Sequence, residues 1–337
     1  MQQAHLHPVG GTTMPVRLGF FGCGGIANHH MGKIKDMPEA QMVAFYDVDA
    51  ERAKKAAETY GGTAFDSPEK LLSEGGVDAV YVCTPPFAHG DLELAAIEAG
   101  KPIFVEKPIA LTMQVAREIE RAANQKGIIT SVAYHFRYFE ATRRAEAALA
   151  DKTITAFLGY WMGGFPMVYW WRRMELSGGQ MHEQTTHILD LARLFGGEVK
   201  ALAAAYGLRC KMDIEGITVP DVGTVTLFYE SGAVGAVSNC CHLDFGFRVG
   251  CDIIACDTTA TLNGNSLVLR SRDRTEELTF DNDPYLAEDR AFVKAVATGD
   301  ASDIRSTYSD GVRSLALSLA ANLAAEEKRV VEIAEVG

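Results

Sequence analysis

An apolar run, VRLGFF at residues 16–21, stops at a glycine and continues as GCGGIANHH. This juncture constrains the chain more than any other feature. An apolar run without polar alternation describes a strand buried on both faces. The spacing Gly22-x-Gly24-x-x-Ala27 then suits a tight turn opening a helix. Gly22 permits the turn, Gly24 lets the backbone approach a pyrophosphate, and Ala27 keeps helix and strand close. Gly25 and Ile26 begin the helix, whose free N–H groups and dipole favour phosphate. Gly22, Gly24, Gly25 and Ile26 are therefore candidate cofactor contacts.

The rest of the first third repeats the strand–helix alternation. Residues 41–47, 77–84, 101–106 and 128–134 read as strands, and helices follow from about 26, 50, 90 and 113. Such a pattern implies a parallel sheet covered on both faces. The second strand ends in Asp47, where a carboxylate accepts both hydroxyl hydrogen bonds of an adenosine ribose and repels a 2′-phosphate. Val48 follows, and the nearest basic residue is Arg52. NAD is thus expected in preference to NADP. The alternative reading makes Asp47 and Asp49 turn and cap residues.

After about residue 150 the strands lengthen and helices become rare. Residues 153–162, 199–208, 222–230, 232–241 and 248–257 describe a largely antiparallel sheet, with a helix at about 180–195 and two late helices at 283–299 and 308–328. The expected fold is α/β: a doubly wound N-terminal domain over 15–135, then an α+β domain over 136–337 whose terminal helix packs back on the first. Residues 1–14 read as a flexible tail without the basic and apolar regions of a signal peptide. The formal charge of −12 argues against nucleic acid and anionic membranes as partners, and no apolar run has the length of a span. Seven cysteines form no C-x-x-C pair, so buried reduced thiols in a cytoplasmic protein are expected, with neither disulfides nor a metal.

Two strand ends carry chemistry, because ligands in open α/β sheets sit beyond the C-terminal ends of strands. Thr84-Pro85-Pro86 stiffens one loop into a wall suited to a ring. Glu106-Lys107-Pro108 ends the next strand, and the proline holds Lys107 extended, a candidate proton donor or alkoxide stabiliser. The segment GGQMHEQTTHILDLARLFGG, 178–197, resembles a zinc-protease motif but spaces His182 and His187 by five residues. On a helix that separates them by roughly 140°, which rules out a shared metal ion. Glu183 and His187, four apart, share a face with Asp190, and a carboxylate beside an imidazole suits an acid/base; His182 reads as incidental. Tyr160, Trp171 and Arg172 lie in an aromatic–arginine segment of the kind that binds sugars, with Trp161 read as strand core.

Together these motifs resemble the Gfo/Idh/MocA oxidoreductase family. The resemblance rests on the glycine loop, Asp47, Thr84-Pro85 with His89, Glu106-Lys107-Pro108, the Gly178-Gly179-x-x-x-acid-x-x-x-His-x-x-Asp pattern and the late helix from 283. It implies a nicotinamide-dependent enzyme acting on secondary alcohols of sugars or cyclitols, with Lys107, Glu183 and His187 catalytic and Thr84, Pro85, His89 and Glu106 beside the cofactor. It further implies a homodimer or homotetramer built through the C-terminal sheet, and a substrate cleft that His135, Arg137 and Asp190 also face. The family often has aspartate where this chain has Glu183, and glycine where it has Gln180. A glycosidase working by transient oxidation and an NAD-binding regulator without turnover are the alternatives.

Overall fold

The computed structural model describes residues 14–337; apart from Met14, the expected N-terminal tail lies outside them. Six strands form the first sheet: β1 (Val16–Phe21), β2 (Ala40–Tyr46), β3 (Thr63–Ala64), β4 (Ala79–Val82), β5 (Ile103–Val105) and β6 (Thr130–Val132). They are all parallel, in the order β3-β2-β1-β4-β5-β6. Strands β4, β5 and β6 are buried at every residue, which is why their sequences show no alternation. The chain reverses direction across the sheet between β1 and β4. A crevice opens there, above the strand ends that carry Gly22 and Thr84.

The second sheet has nine strands: β7 (Ile154–Met162), β8 (Val199–Gly207), β9 (Val222–Tyr229), β10 (Val234–Cys240), β11 (Arg248–Ala255), β12 (Thr258–Asn263), β13 (Ser266–Ser271), β14 (Thr275–Thr279) and β15 (Val331–Glu332). Their order is β14-β13-β12-β11-β7-β10-β9-β8-β15. Every pair is antiparallel except β7 with β10, at the centre. One face is covered. Along β7, Phe157, Gly159 and Trp161 point to that face, and Leu158, Tyr160 and Met162 to the other, by the period of two. A Cβ on Gly159 would stand 2.3 Å from Ile188 Cγ2, so glycine lets the helix Thr186–Gly196 lie directly on the strand.

Two late helices join the halves. The helix Pro284–Thr298 sets Phe292 under Tyr81 and Phe104 of the first sheet. The helix Tyr308–Glu327 divides its apolar residues between both cores. Tyr308, Val312 and Leu315 lie with the first sheet, and Leu317, Ala320, Ala321 and Ala324 with the second. Truncating fully buried Leu317 to alanine would cost about 2–5 kcal/mol, so this staple is not a marginal contact. Among the described residues, no helix is long and apolar enough to cross a membrane.

Candidate active site

The glycine loop separates a structural requirement from a ligand requirement. Gly22 has φ +88°, and a Cβ there would stand 2.4 Å from the Cys83 carbonyl oxygen. Gly24 and Gly25 have nothing within 4 Å of such a Cβ. The space beside them is open, at the N-terminus of the helix Gly25–Ile34, where no acidic side chain occupies the first turn. Asp47 stands next to the loop: one carboxylate oxygen accepts the Cys23 N–H at 2.7 Å and the other the Asp49 N–H at 2.8 Å. Asp49 caps the next helix through Glu51 N–H. Asp47 closes a turn and Asp49 caps a helix, as the second reading of the acidic pair has it, and Asp47 also lies against the glycine loop.

Across the crevice, Thr84 Oγ1 is buried without a hydrogen-bond partner among the described residues. His89 packs inside its loop, its Nδ1 on Glu93 Oε1, while Glu93 Oε2 accepts the Gly90 N–H at 2.8 Å. That pair braces the loop, and His89 Nε2 has no partner. An open glycine cradle at a helix N-terminus, an adjacent carboxylate and an orphaned hydroxyl at the neighbouring strand end fit a nicotinamide dinucleotide.

Lys107 follows β5, with a cis peptide to Pro108. Its Nζ donates to the Glu183 carbonyl oxygen at 2.9 Å and to Glu183 Oε1 at 3.0 Å. Glu183 Oε2 accepts the Trp171 Nε1–H at 2.8 Å. Two of the three ammonium protons are thereby placed, which leaves one for a ligand. Glu183 therefore orients the lysine and not His187. The predicted continuous helix over 180–195 does not form. A short helix, Gly179–Glu183, ends, and another, Thr186–Gly196, begins. At the break Thr185 N–H reaches back to the Gln180 carbonyl. The hydroxyls of Thr185 and Thr186 are taken by Asn239 of β10 and by Tyr134, each at 3.0 Å. These tertiary bonds override the helical register, and with it the expected Glu183–His187–Asp190 stripe.

His187 instead sits in an aromatic box. Phe136 and Trp161 lie nearly parallel to its ring, at 4.8 and 5.8 Å, and His135 and Tyr134 meet it edge-on at 4.5 and 5.9 Å. Its Nδ1 has no partner among the described residues. Burial, with the nearby His135 and the Lys107 charge, holds its pKa well below the ordinary histidine value, so it is neutral and able to accept a proton. His135 is lowered in the same way, chiefly by burial and then by Lys107. It stacks on Tyr285 at 3.9 Å. Tyr285 was not anticipated; its signal was only a single tyrosine in the first turn of the late helix.

Several expected substrate contacts are elsewhere. Arg137 and Asp190 are buried against each other, through Nε and Nη2 at 2.7 Å each, and Ser314 also donates to Asp190. Arg137 Nη1 donates to the Arg305 carbonyl and pairs with Asp310. Neither group has a face toward a cleft; together they clamp helices. Trp171 is 1% exposed and serves Glu183. Tyr160 is on the opposite face of the sheet, bonded to Asp252 under Arg248. Trp161, read as core, is the residue beside His187. Arg172 is half-buried, over the Tyr169 ring, with Nη1 on the Glu215 carbonyl. His182 is not incidental. Fully buried, it bridges Ser318 at 2.9 Å and the Ala110 carbonyl at 3.1 Å, and burial lowers its pKa to about 4.

All seven cysteines are free thiols. Cys210, Asp221 and His242 come within 4.8 Å of one another. However, the Asp221 carboxylate accepts the N–H groups of Arg209, Cys210 and Lys211, which gives it a structural role in the turn.

Comparison with known proteins agrees with this geometry. Residues 16–134 match the family profile described as oxidoreductase family, NAD-binding Rossmann fold, and 152–261 match the GFO/IDH/MocA C-terminal domain. The chain is 27% identical to myo-inositol 2-dehydrogenase of Thermotoga maritima, over 95% of this chain and 99% of that protein. It is 30% identical to 1,5-anhydro-D-fructose reductase of Ensifer adhaerens, over 94% and 98%. An oxidoreductase from Agrobacterium radiobacter, solved with NAD+, L-tartaric acid and magnesium, shares the fold with a TM-score of 0.85 at 21% identity, covering 95% and 99%. A dinucleotide crevice, a mixed sheet beside it and two matching domain profiles lead to one conclusion: the chain belongs to the Gfo/Idh/MocA family, NAD-binding oxidoreductases that act on CH–OH groups.

Proposed function

We propose that the protein interconverts a secondary alcohol and a ketone of a sugar, cyclitol or sugar derivative, with NAD as the hydride carrier and Lys107 and His187 as the acid–base pair. The observation that carries this reading is a pair of groups with hydrogen-bonding capacity to spare. Two bonds to Glu183 leave Lys107 one N–H, and its charge acts on neutral His187, whose Nδ1 has no partner among the described residues. The bound cofactor supplies the hydride acceptor or donor. In the oxidation direction, His187 takes the hydroxyl proton and Lys107 donates its remaining hydrogen bond to the oxygen as negative charge develops there. Glu183 fixes the ammonium, and the aromatic box keeps water from His187 and offers Trp161 to the apolar face of a ring. Asp47 supports NAD over NADP, because its carboxylate stands where a 2′-phosphate would be repelled. The named relatives are dehydrogenases and a reductase, which does not favour the glycosidase or the regulator. The uncovered face of the nine-stranded sheet, with Leu158, Phe228 and Val234 exposed, is the surface through which we expect a homodimer or homotetramer. The free thiols agree with a cytoplasmic location.

The test is kinetic. His187→Ala and Lys107→Met should each lower turnover on the best substrate of a polyol panel by about 10²–10⁴-fold. NAD binding should be kept. If each variant retains near-normal turnover, the assignment of the acid–base pair is wrong.

A further inference from the structure

Beneath Lys107 lies a group of ionisable side chains that the chemistry above does not use. His30, on the helix that begins at the glycine loop, is fully buried. Its Nε2 is 3.0 Å from Glu106 Oε1 and its Nδ1 is 2.9 Å from Asp289 Oδ1. Glu106 Oε2 in turn accepts the Lys107 backbone N–H at 3.0 Å. A neutral imidazole has one N–H and would turn a lone pair toward one of the carboxylates; only the imidazolium donates to both. Burial alone would discharge the ring, but Asp289 and Glu106 outweigh it and hold its pKa well above the ordinary value. Phe104 from β5, Tyr81 from β4, His29 from the same helix, His135 from beyond β6, and Tyr285 and Glu288 from the late helix surround the ring. Glu288 is fully buried with neither oxygen partnered, and burial raises it strongly, so it adds no further charge.

We propose that His30 is a positioning residue: as a standing imidazolium it anchors Glu106 and, through it, fixes the backbone of Lys107, coupling the phosphate-binding helix to the catalytic lysine. The inference rests on the assignment of Lys107 given above. The same imidazolium ties in the late helix through Asp289, and that helix carries Tyr285 against His135, beside His187. One buried charge thereby joins the three elements that must be in register when cofactor and substrate meet.

Two measurements decide it. The first uses the unaltered protein: ¹⁵N spectra of histidine-labelled chain should show both His30 nitrogens still protonated at a pH above the ordinary histidine range. A neutral tautomer at that pH overturns the proposal. The second uses His30→Gln and Asp289→Asn. His30→Gln, which cannot donate to both carboxylates, should lower kcat by about tenfold at every pH, with KM for NAD little changed. Asp289→Asn leaves one carboxylate on the ring, so His30 should lose its proton within the assay range and kcat should gain a new alkaline limb. Folded variants with the normal kcat and pH profile overturn the proposal. So does an Asp289→Asn variant that loses thermal stability while its pH profile stays unmoved, which marks a merely structural role. If Lys107→Met is inactive while these variants behave normally, the inference falls alone. If Lys107→Met is active, the assignment beneath it has failed.

Discussion

Shortening Glu183 to aspartate draws the carboxylate back by about 1.5 Å, one carbon–carbon bond. In the structure its two oxygens reach Lys107 Nζ at 3.0 Å and Trp171 Nε1 at 2.8 Å. A retreat of that size puts at least one partner beyond hydrogen-bond range. Attraction between full charges should keep the shorter side chain on Lys107, whose Nζ also stays on the Glu183 carbonyl. The indole N–H, on a residue 1% exposed, is then left unpaired, at a cost of about 1–3 kcal/mol. We expect Glu183→Asp to lose that much stability in chemical denaturation, with kcat reduced by about tenfold or less. Glu183→Ala, which frees the lysine side chain, should lose about 10²-fold in kcat, as a misplacement of about 1 Å would. Trp171→Phe supplies the control: in that background the aspartate substitution should cost little more. The cycle refutes the reasoning if the two stability losses simply add within about 0.5 kcal/mol. Glutamate and indole would then not share one interaction.

Replacing Asp47 by serine and the 92% exposed Val48 by arginine should raise the NADP-to-NAD ratio of kcat/KM by at least about tenfold, since removing a like charge and adding an opposite one exceeds the roughly 1.4 kcal/mol required; an unchanged ratio places the ribose elsewhere. Asp190→Asn should lower the unfolding free energy by about 1–3 kcal/mol while leaving substrate KM unchanged, because the buried Arg137 loses one of its two carboxylate partners and keeps Asp310; a KM effect with normal stability would return the pair to the substrate side. For His182 the folded pKa of about 4 lies below the ordinary histidine value of 6.5, so the unfolded chain binds the extra proton between those values. Stability should therefore be full above about pH 6.5 and fall as pH drops towards 4, and His182→Gln should flatten that limb in pH-dependent denaturation.

The first domain was legible because its signals are local. A buried parallel strand shows as an unbroken apolar run, and Gly22 is required by its own φ and by the strand beside it. The second sheet was legible only in part. The strands β12, β13 and β14 escaped because TTATLN and TEELT alternate polar residues on an edge of the sheet, although Asn263-Gly264 marks the turn between β12 and β13. Motifs single out Lys107, Glu183 and His187, the residues proposed for the site, yet sequence spacing alone misplaces them relative to one another. Helical spacing predicts a shared face for Glu183 and His187, but the hydroxyls of Thr185 and Thr186 answer to Asn239 and Tyr134, which lie far away in sequence. Tyr160 and Trp161 show the same limit. Alternation says that they face opposite ways; which face is covered depends on the helix that settles over Gly159.

The single parallel pair in the large sheet has an evolutionary side. Because β7 and β10 run the same way, both leave the sheet at one edge, and the segments after Met162 and Cys240 travel together, Gly163 N–H on the Cys240 carbonyl and Leu243 N–H on the Gly163 carbonyl. One of them runs directly into Trp170–Arg172 and so toward Glu183. Lys107 and His187 are held instead by β5, by the helix Thr186–Gly196 and by their buried neighbours. Insertions and deletions in these two adjoining loops can therefore accumulate while the side chains of Lys107 and His187 stay in place. A sheet built in this way lets two neighbouring loops change length over a lineage while the strands and helices that hold Lys107 and His187 are inherited intact.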